Sequence, residues 1–404
     1  MARILALTSR VPYPPREGHQ LRTFHLLRAL ASSHQVHLLS CLRPDDVPEE
    51  TGPLREMLAG FETFTVPSTR SRWSLVRTLV ASLGSSKPFV AHKYEIPELR
   101  SRIADIIAGF DLLHVDMLPL MTYADLAPSS LPVVLNAHNV EQVLLERRVE
   151  IESNPLARAF LRNQLPRLGA YERAACRRAD AVLACSQADV EQLRSLAPST
   201  PVHVVPNGVD LAFNRPDAVA PRQPAQLVFV GQMGWFPNRD GMEWFLAEVL
   251  PRIAAARPDV RMVMVGTADG FKVPENVAAN VHVAGFVDDV RPYVEDSAVY
   301  VVPLRTGSGT RLKILEAMAL GKAIVTTTVG AEGISLERGV DALFADRPKD
   351  FADTVLGLLS NPAEIRRLGT NARGVAERHY GWEAIGKAML GHYQALLRHE
   401  RAGT

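Results

Sequence analysis

Residues 299–333 read VYVVPLRTGSGTRLKILEAMALGKAIVTTTVGAEG, and they decide how the chain folds. Val299 to Leu304 is an apolar run of strand length rich in β-branched residues, and Lys322 to Thr328 is a second, so both are expected as buried strands of a parallel sheet. Between them Arg311 to Leu320 has the composition of a crossover helix, stopped by Gly321. The turn RTGSGT joins the first strand to that helix. Gly307 and Gly309 let backbone approach a ligand closely, and the free N–H groups of the helix start favour an anion. The turn is not a Walker loop, because no Gly-Lys-Ser/Thr follows at the required spacing. The last glycine of a dinucleotide fingerprint would fall on Leu312.

The helix is apolar nearly all round, through Leu312, Ile314, Leu315, Ala317, Met318, Ala319 and Leu320. Glu316 interrupts this pattern on the face shared by Leu312, Leu315, Ala319 and Leu320. A carboxylate in such a stripe is costly unless something satisfies it. Two partners are open: an ion pair with Lys313 one turn back, or a ligand hydroxyl.

At 404 residues the chain suits two domains rather than one core. Its 47% hydrophobic and 22% charged content is that of a globular protein, and a formal charge of +1 gives no bulk attraction to nucleic acid. Cys41, Cys176 and Cys185 have neither pairing nor metal-ligand spacing, which fits a reducing, cytoplasmic setting. No apolar run has the length to span a bilayer. The arginine-rich stretch from Glu146 to Arg178 leaves room for peripheral contact with a membrane, against the blander reading of a solvated helical face.

Taken in order, Arg3 to Thr8, a helix from Gln20 to Ala31 and Val36 to Ser40 form an opening β-α-β unit. Its first turn, SRVPYPPREGHQ, lies where ligand crevices form in doubly wound sheets, which places Arg16, Glu17 and Gly18 near a binding cleft; a rigid proline turn without a role is the alternative. From Asp45 to Pro97 the pattern loosens, apart from a helical segment around Trp73 to Leu83. Asp111 to Asp116 (DLLHVD) and Pro132 to Ala137 (PVVLNA) are strands, the second running into His138, Asn139 and Glu141. His138 stands at a strand end, where a histidine reads either as functional or as a satisfied structural residue. After a long helical stretch come the strand AVLACS at 181–186, a helix from Gln187 to Leu196, and HVVP leading into PNGVD at 206–210. The proline-rich FNRPDAVAPRQPAQ then reads as the domain boundary. The second half repeats the alternation with strands at Leu227–Val230, Arg261–Val265, Val281–Ala284, the two of the opening stretch and Ala342–Ala345; past Asn361 it is helical. Two doubly wound α/β domains in tandem are expected.

With these pieces placed, the sequence resembles the retaining glycosyltransferases of family 4, whose GT-B fold sets two Rossmann-like domains across a cleft. The carriers are the turn at Gly18, His138, ADAVLACS at 179–186, VVPNGVD at 204–210, the VGQMG turn, GFVDDV at 285–290 and LKILEAMALGKAIVTTTVGAEG. RTGSGTRLKILEAMALGK is similar to the branch found among exopolysaccharide and cell-surface glycan enzymes. The resemblance implies an acceptor-binding domain over 1–206, a donor-binding domain over 207–380, and a C-terminal helical segment, 381–404, packed back on the first.

It also implies roles. Gly309 to Lys313 would meet the diphosphate of a nucleotide-sugar donor, Glu316 the ribose hydroxyls, and Gly285, Phe286 and Val287 the base, with Gly307, Ser308 and Thr310 among the donor-binding residues. Gly18 would approach donor phosphate or acceptor, and His138 the transferring sugar. The family's paired glutamates, eight positions apart, would put an acid at 308, where this chain has Ser308. Its usual Arg and Lys after the first strand of the second domain align with Gln232, just past Gly231, and approximately with Arg239. Arg305, Arg311 and Lys313 are the nearby cations that could take over.

The expected reaction moves a sugar from a nucleotide diphosphate to the hydroxyl of a glycan, lipid-linked or small-molecule acceptor, with retention, in surface glycan synthesis. No Asp-x-Asp occurs, so no metal or other cofactor is expected. A nucleotide-sugar 2-epimerase of the same fold and a non-catalytic sugar-nucleotide binder are the alternatives.

Overall fold

The structure is a computed structural model that describes residues 1–15, 18–43, 46, 51–67, 72–216, 223–307 and 310–401. The chain forms two compact units: residues 1–206 with 385–404, and residues 207–384.

In the first unit seven parallel strands are β1 (Arg3–Thr8), β2 (Gln35–Leu42), β3 (Gly60–Thr65), β4 (Leu112–Asp116), β5 (Val133–Asn136), β6 (Ala181–Ala184) and β7 (Val202–Val204), ordered β3-β2-β1-β4-β5-β6-β7. In the second, β8 (Gln223–Val230), β9 (Arg261–Val265), β10 (Val281–Gly285), β11 (Ser297–Val302), β12 (Ala323–Thr326) and β13 (Leu343–Phe344) run parallel in the order β10-β9-β8-β11-β12-β13. Both are the doubly wound pattern, whose order reverses beside the first strand: at β1/β4 in one unit and at β8/β11 in the other. Every residue of β4 and β11 is buried, because helices cover both faces of such a sheet.

Three differences from the sequence reading have plain causes. β3 (GFETFT) went unread because it is an edge strand, half exposed and partly polar, with no continuous apolar run. The long helical stretch after His138 is two helices, Glu141–Ile151 and Pro155–Arg178; Asn154 breaks it by accepting Leu156 N at 3.0 Å and Ala157 N at 3.2 Å through its side chain, with proline next. The chain past Asn361 is likewise two helices, Pro362–His379 and Trp382–Arg401.

The last of these helices joins the first unit from Ile385 onward, four residues after the expected start of the C-terminal segment. Its Tyr393 hydroxyl lies 2.6 Å from Nδ1 of His114 on β4, and both side chains are fully buried. Among the described residues no helix is long and apolar enough to cross a membrane.

Candidate donor site and the polar network of the first unit

At the β8/β11 reversal, Gly231 follows β8 and Pro303 to Gly307 follow β11, with Thr310 and Arg311 just before the helix Leu312–Ala319. A Cβ on Gly231 would stand 2.6 Å from Lys313 Nζ and 2.7 Å from Asn238 Nδ2, so glycine is what admits the lysine here. Gly307 has φ +122°, a conformation for glycine alone, and a Cβ there would lie 2.8 Å from Arg311 Nη2. The glycines therefore hold two cations against the backbone at the carboxyl ends of neighbouring strands.

Lys313 does not bridge to Glu316. Its ammonium donates to Asn238 Oδ1 at 2.7 Å and sits 4.1 Å from the centre of the Phe229 ring. Burial, aided by the charge of Arg311 and opposed by Glu316, lowers its pKa to about 7. Burial raises Glu316 to about 7 against the pull of Lys313, and the Glu316 carboxyl has no hydrogen bond or ion pair with the described residues. Thr310 Oγ1 is buried and also lacks a hydrogen-bond partner among the described residues. An acid and a base thus both titrate near neutrality within one turn of helix, with acceptor capacity left over.

The other expected donor residues are divided. Arg305 is tied to Asp240, Nη2 to Oδ1 at 2.6 Å, with its guanidinium 5.8 Å from the Trp244 ring. Arg239 spends its donors on the carbonyls of Met233, Asp269 and Gly270 at 3.0–3.2 Å, clamping a loop. These two cations are tied up away from the turn; Arg311 and Lys313 lie at it, Lys313 held by Asn238. Gln232 is exposed, and its carbonyl takes Asn238 Nδ2 at 2.9 Å. The Gly285 carbonyl receives Gly266 N–H at 2.8 Å, Phe286 is 73% exposed, and Val287 packs on the core. Ser308 and Gly309 lie outside the described residues, as do Arg16 and Glu17; Gly18 is the first residue of the helix Gly18–Ala31.

In the first unit His138 belongs to a network whose other members the sequence reading did not single out. Ser40, Thr8, Asp116 and Asn136 share one register level across β2, β1, β4 and β5, near their carboxyl ends, and all are buried. Asp116 accepts from Thr23 Oγ1 at 2.7 Å and Asn136 Nδ2 at 2.5 Å, and its Oδ1 lies 2.9 Å from His138 Nε2. Arg22, fully buried, donates to Asn136 Oδ1 at 2.8 Å and to the Val205 carbonyl at 2.7 Å. Burial alone would raise Asp116, but His138 beside it holds its carboxyl far below the usual range. An ionised Asp116 can only accept, so His138 Nε2 carries the proton and its other ring nitrogen is the free valence in the neutral form. The available signal was that DLLHVD and the strand VVLN both end on polar residues. Next along, Glu141 is raised to about 7 by burial and by Glu172, whose carboxylate caps the helix Glu141–Ile151 through the N–H groups of Glu141 and Gln142 at 2.7 and 3.0 Å.

Two doubly wound sheets, each bearing its polar groups at the carboxyl ends of the strands, define the GT-B class. Solved structures agree over nearly their full length: a sucrose-phosphate synthase from Thermosynechococcus elongatus at TM-score 0.71 and 20% identity, covering 98% of this chain and 99% of that one, and the Anabaena protein HepE, solved in complex with UDP, at TM-score 0.68 and 15% identity, covering 97% and 100%. Residues 17–213 match the model of Glycosyltransferase Family 4, and residues 224–361 match that of Glycosyl transferases group 1. The chain belongs to this family of glycosyltransferases. Among curated relatives, the D-inositol 3-phosphate glycosyltransferase of Segniliparus rotundus is 30% identical over 54% of this chain and 53% of its own length. The phosphatidyl-myo-inositol mannosyltransferase of Mycobacterium tuberculosis is 28% identical over 48% and 53%. The aligned part thus spans about half the length of these relatives.

Proposed function

We propose that the protein is a glycosyltransferase that takes a sugar from a nucleotide diphosphate and passes it to a hydroxyl acceptor with retention, the donor being held by the second unit. The observation that carries this is Glu316: a half-buried carboxyl in an apolar helix, raised to about 7, without a hydrogen bond or ion pair among the described residues and beside a glycine turn. Vicinal hydroxyls of a ribose would supply the donors it lacks. Lys313, Arg311 and the start of the helix Leu312–Ala319 would take the diphosphate and stabilise the charge that develops as it leaves. The UDP and UDP-glucose bound by the Anabaena neighbour are ligands of the chemistry proposed.

No metal enters this reading, since backbone N–H groups and two cations meet the diphosphate charge. His138, its Nε2 fixed by Asp116, is assigned to the transferring sugar, an assignment that rests on the family resemblance. A role in surface glycan synthesis is part of the same proposal. Incubation with labelled nucleotide sugars and an acceptor pool tests it. Free nucleoside diphosphate with a retained anomeric product, undiminished by EDTA, is expected. An epimerised donor, or a bound donor that is never consumed, would overturn the transfer.

A further inference from the structure

The helix Arg72–Leu83 is inside out. Trp73, Val76, Val80 and Leu83 recur at spacings of three and four, so they form one stripe, and all four face solvent; Trp73 is 80% and Val80 63% exposed. Half a turn round, the row Ser74, Thr78 and Ser82 faces the protein, where Ser74 Oγ donates to the Pro67 carbonyl at 2.7 Å and Ser82 is fully buried. A helix serving only to fold would bury the other face, because large apolar side chains left in water forgo the gain that burial brings. The helix is nevertheless firmly mounted: Arg167, from the helix Pro155–Arg178, donates to the carbonyls of Ser82 and Leu83 at 2.6 and 2.8 Å.

Charge decides what covers the stripe. Between Glu62 and Glu95 the sequence holds no Asp or Glu, and the charged residues of the helix are Arg72 and Arg77. A second copy of this face would set like charges against each other. From these observations we infer that the stripe docks on an anionic lipid bilayer, its tryptophan and aliphatic side chains entering the headgroup boundary while arginine meets lipid phosphate. This places membrane contact on the Trp73 helix rather than on the arginine-rich stretch 146–178. It is independent of the donor-site reading.

The experiment is co-sedimentation of the full chain with vesicles of phosphatidylcholine, with and without an equal part of phosphatidylglycerol. Binding to the anionic vesicles is expected, weakened at least about tenfold by combined Trp73→Ser, Val76→Ser and Val80→Ser and by Arg77→Glu, with the melting temperature unchanged because all four side chains are exposed. Brominated lipid should quench tryptophan emission in the wild type, and Trp73→Phe should abolish most of that quenching. Undiminished vesicle binding in the triple variant would overturn the inference. So would binding lost only in Arg158→Glu with Arg162→Glu, or a wild-type dimer that the triple variant dissolves.

Discussion

The two sheets carry their polar residues in the same place and treat them oppositely. In the first unit, at the ends of β4 and β5, Arg22, Asn136, Asp116, Thr23 and His138 satisfy one another, and Asp116 is held far on the ionised side. In the second, at the β8/β11 reversal, Glu316 and Lys313 are both driven toward neutrality, and Thr310 Oγ1 has no partner among the described residues. Both units solve the same packing problem with the same topology. A closed network fixes a shape, whereas an open one stores unmet demand that a ligand can satisfy.

The strongest way to break this comparison is to open the closed network. Asp116→Ala leaves Asn136 and His138 without their acceptor, and Thr23 with the His19 carbonyl alone, and should cost about 3–5 kcal/mol in chemical denaturation. A loss under about 1 kcal/mol would show that the network is not closed in solution. The Asp116 contribution is present above the unfolded carboxylate value near 3.8 and is lost as pH falls below it.

On the open side the signs should reverse. Glu316→Gln ought to weaken binding of a nucleoside diphosphate by roughly 10- to 100-fold, the worth of about 1.5–3 kcal/mol for hydrogen bonds to a charged group. The free protein should melt no lower than wild type, because a half-buried charge without a hydrogen bond among the described residues is removed. Unchanged affinity in calorimetry, or a marked fall in melting temperature, would close the site instead.

Acidity offers a finer probe. With its pKa raised from 4.5 to about 7, Glu316 binds more protons folded than unfolded, so its contribution to stability falls as pH rises through that window. Lys313, lowered from 10.5 to about 7, binds fewer when folded, and stability recovers as pH climbs from about 7 toward 10.5. The wild type minus Lys313→Met difference in stability should therefore rise between pH 7 and 10. At pH 8, binding of a diphosphate should draw protons onto the mostly neutral Lys313. Calorimetry in buffers of different ionisation enthalpy reads that uptake, and its absence would detach Lys313 from the ligand.

The smallest effect is expected at Arg305. Paired with Asp240 at a half-exposed position, it should cost less than about 1 kcal/mol as Arg305→Ala and leave turnover within about twofold. A large drop in turnover would mean that the arginine leaves Asp240 for the donor.

Much of the fold was legible because buried parallel strands announce themselves: VYVV and AIVT are runs rich in β-branched residues. GFETFT was not, since an edge strand is covered on too little of its surface to need such a run. Glu316 could be found from sequence because its oddity is local, a charge among apolar neighbours one turn away. The partner of Lys313 could not: Asn238 lies 75 residues earlier, and one-turn spacing pointed to Glu316 instead. The network around Asp116 was hidden for the same reason, its bonds joining positions 93 and 114 residues apart. The helix Arg72–Leu83 was legible as a helix, but a period of 3.6 says that one face differs from the other and not which of them turns outward.

The contact between His114 and Tyr393 spans 279 residues, and it sets an order of events during synthesis. The first sheet can assemble as its strands emerge, but the helix that covers His114 is made only after the whole second unit. At about 5–20 residues per second, roughly 15–55 s separate the two side chains on the ribosome. During that interval His114 stands without the side chain that covers it, and the last helix acts as a latch whose arrival ends the exposure.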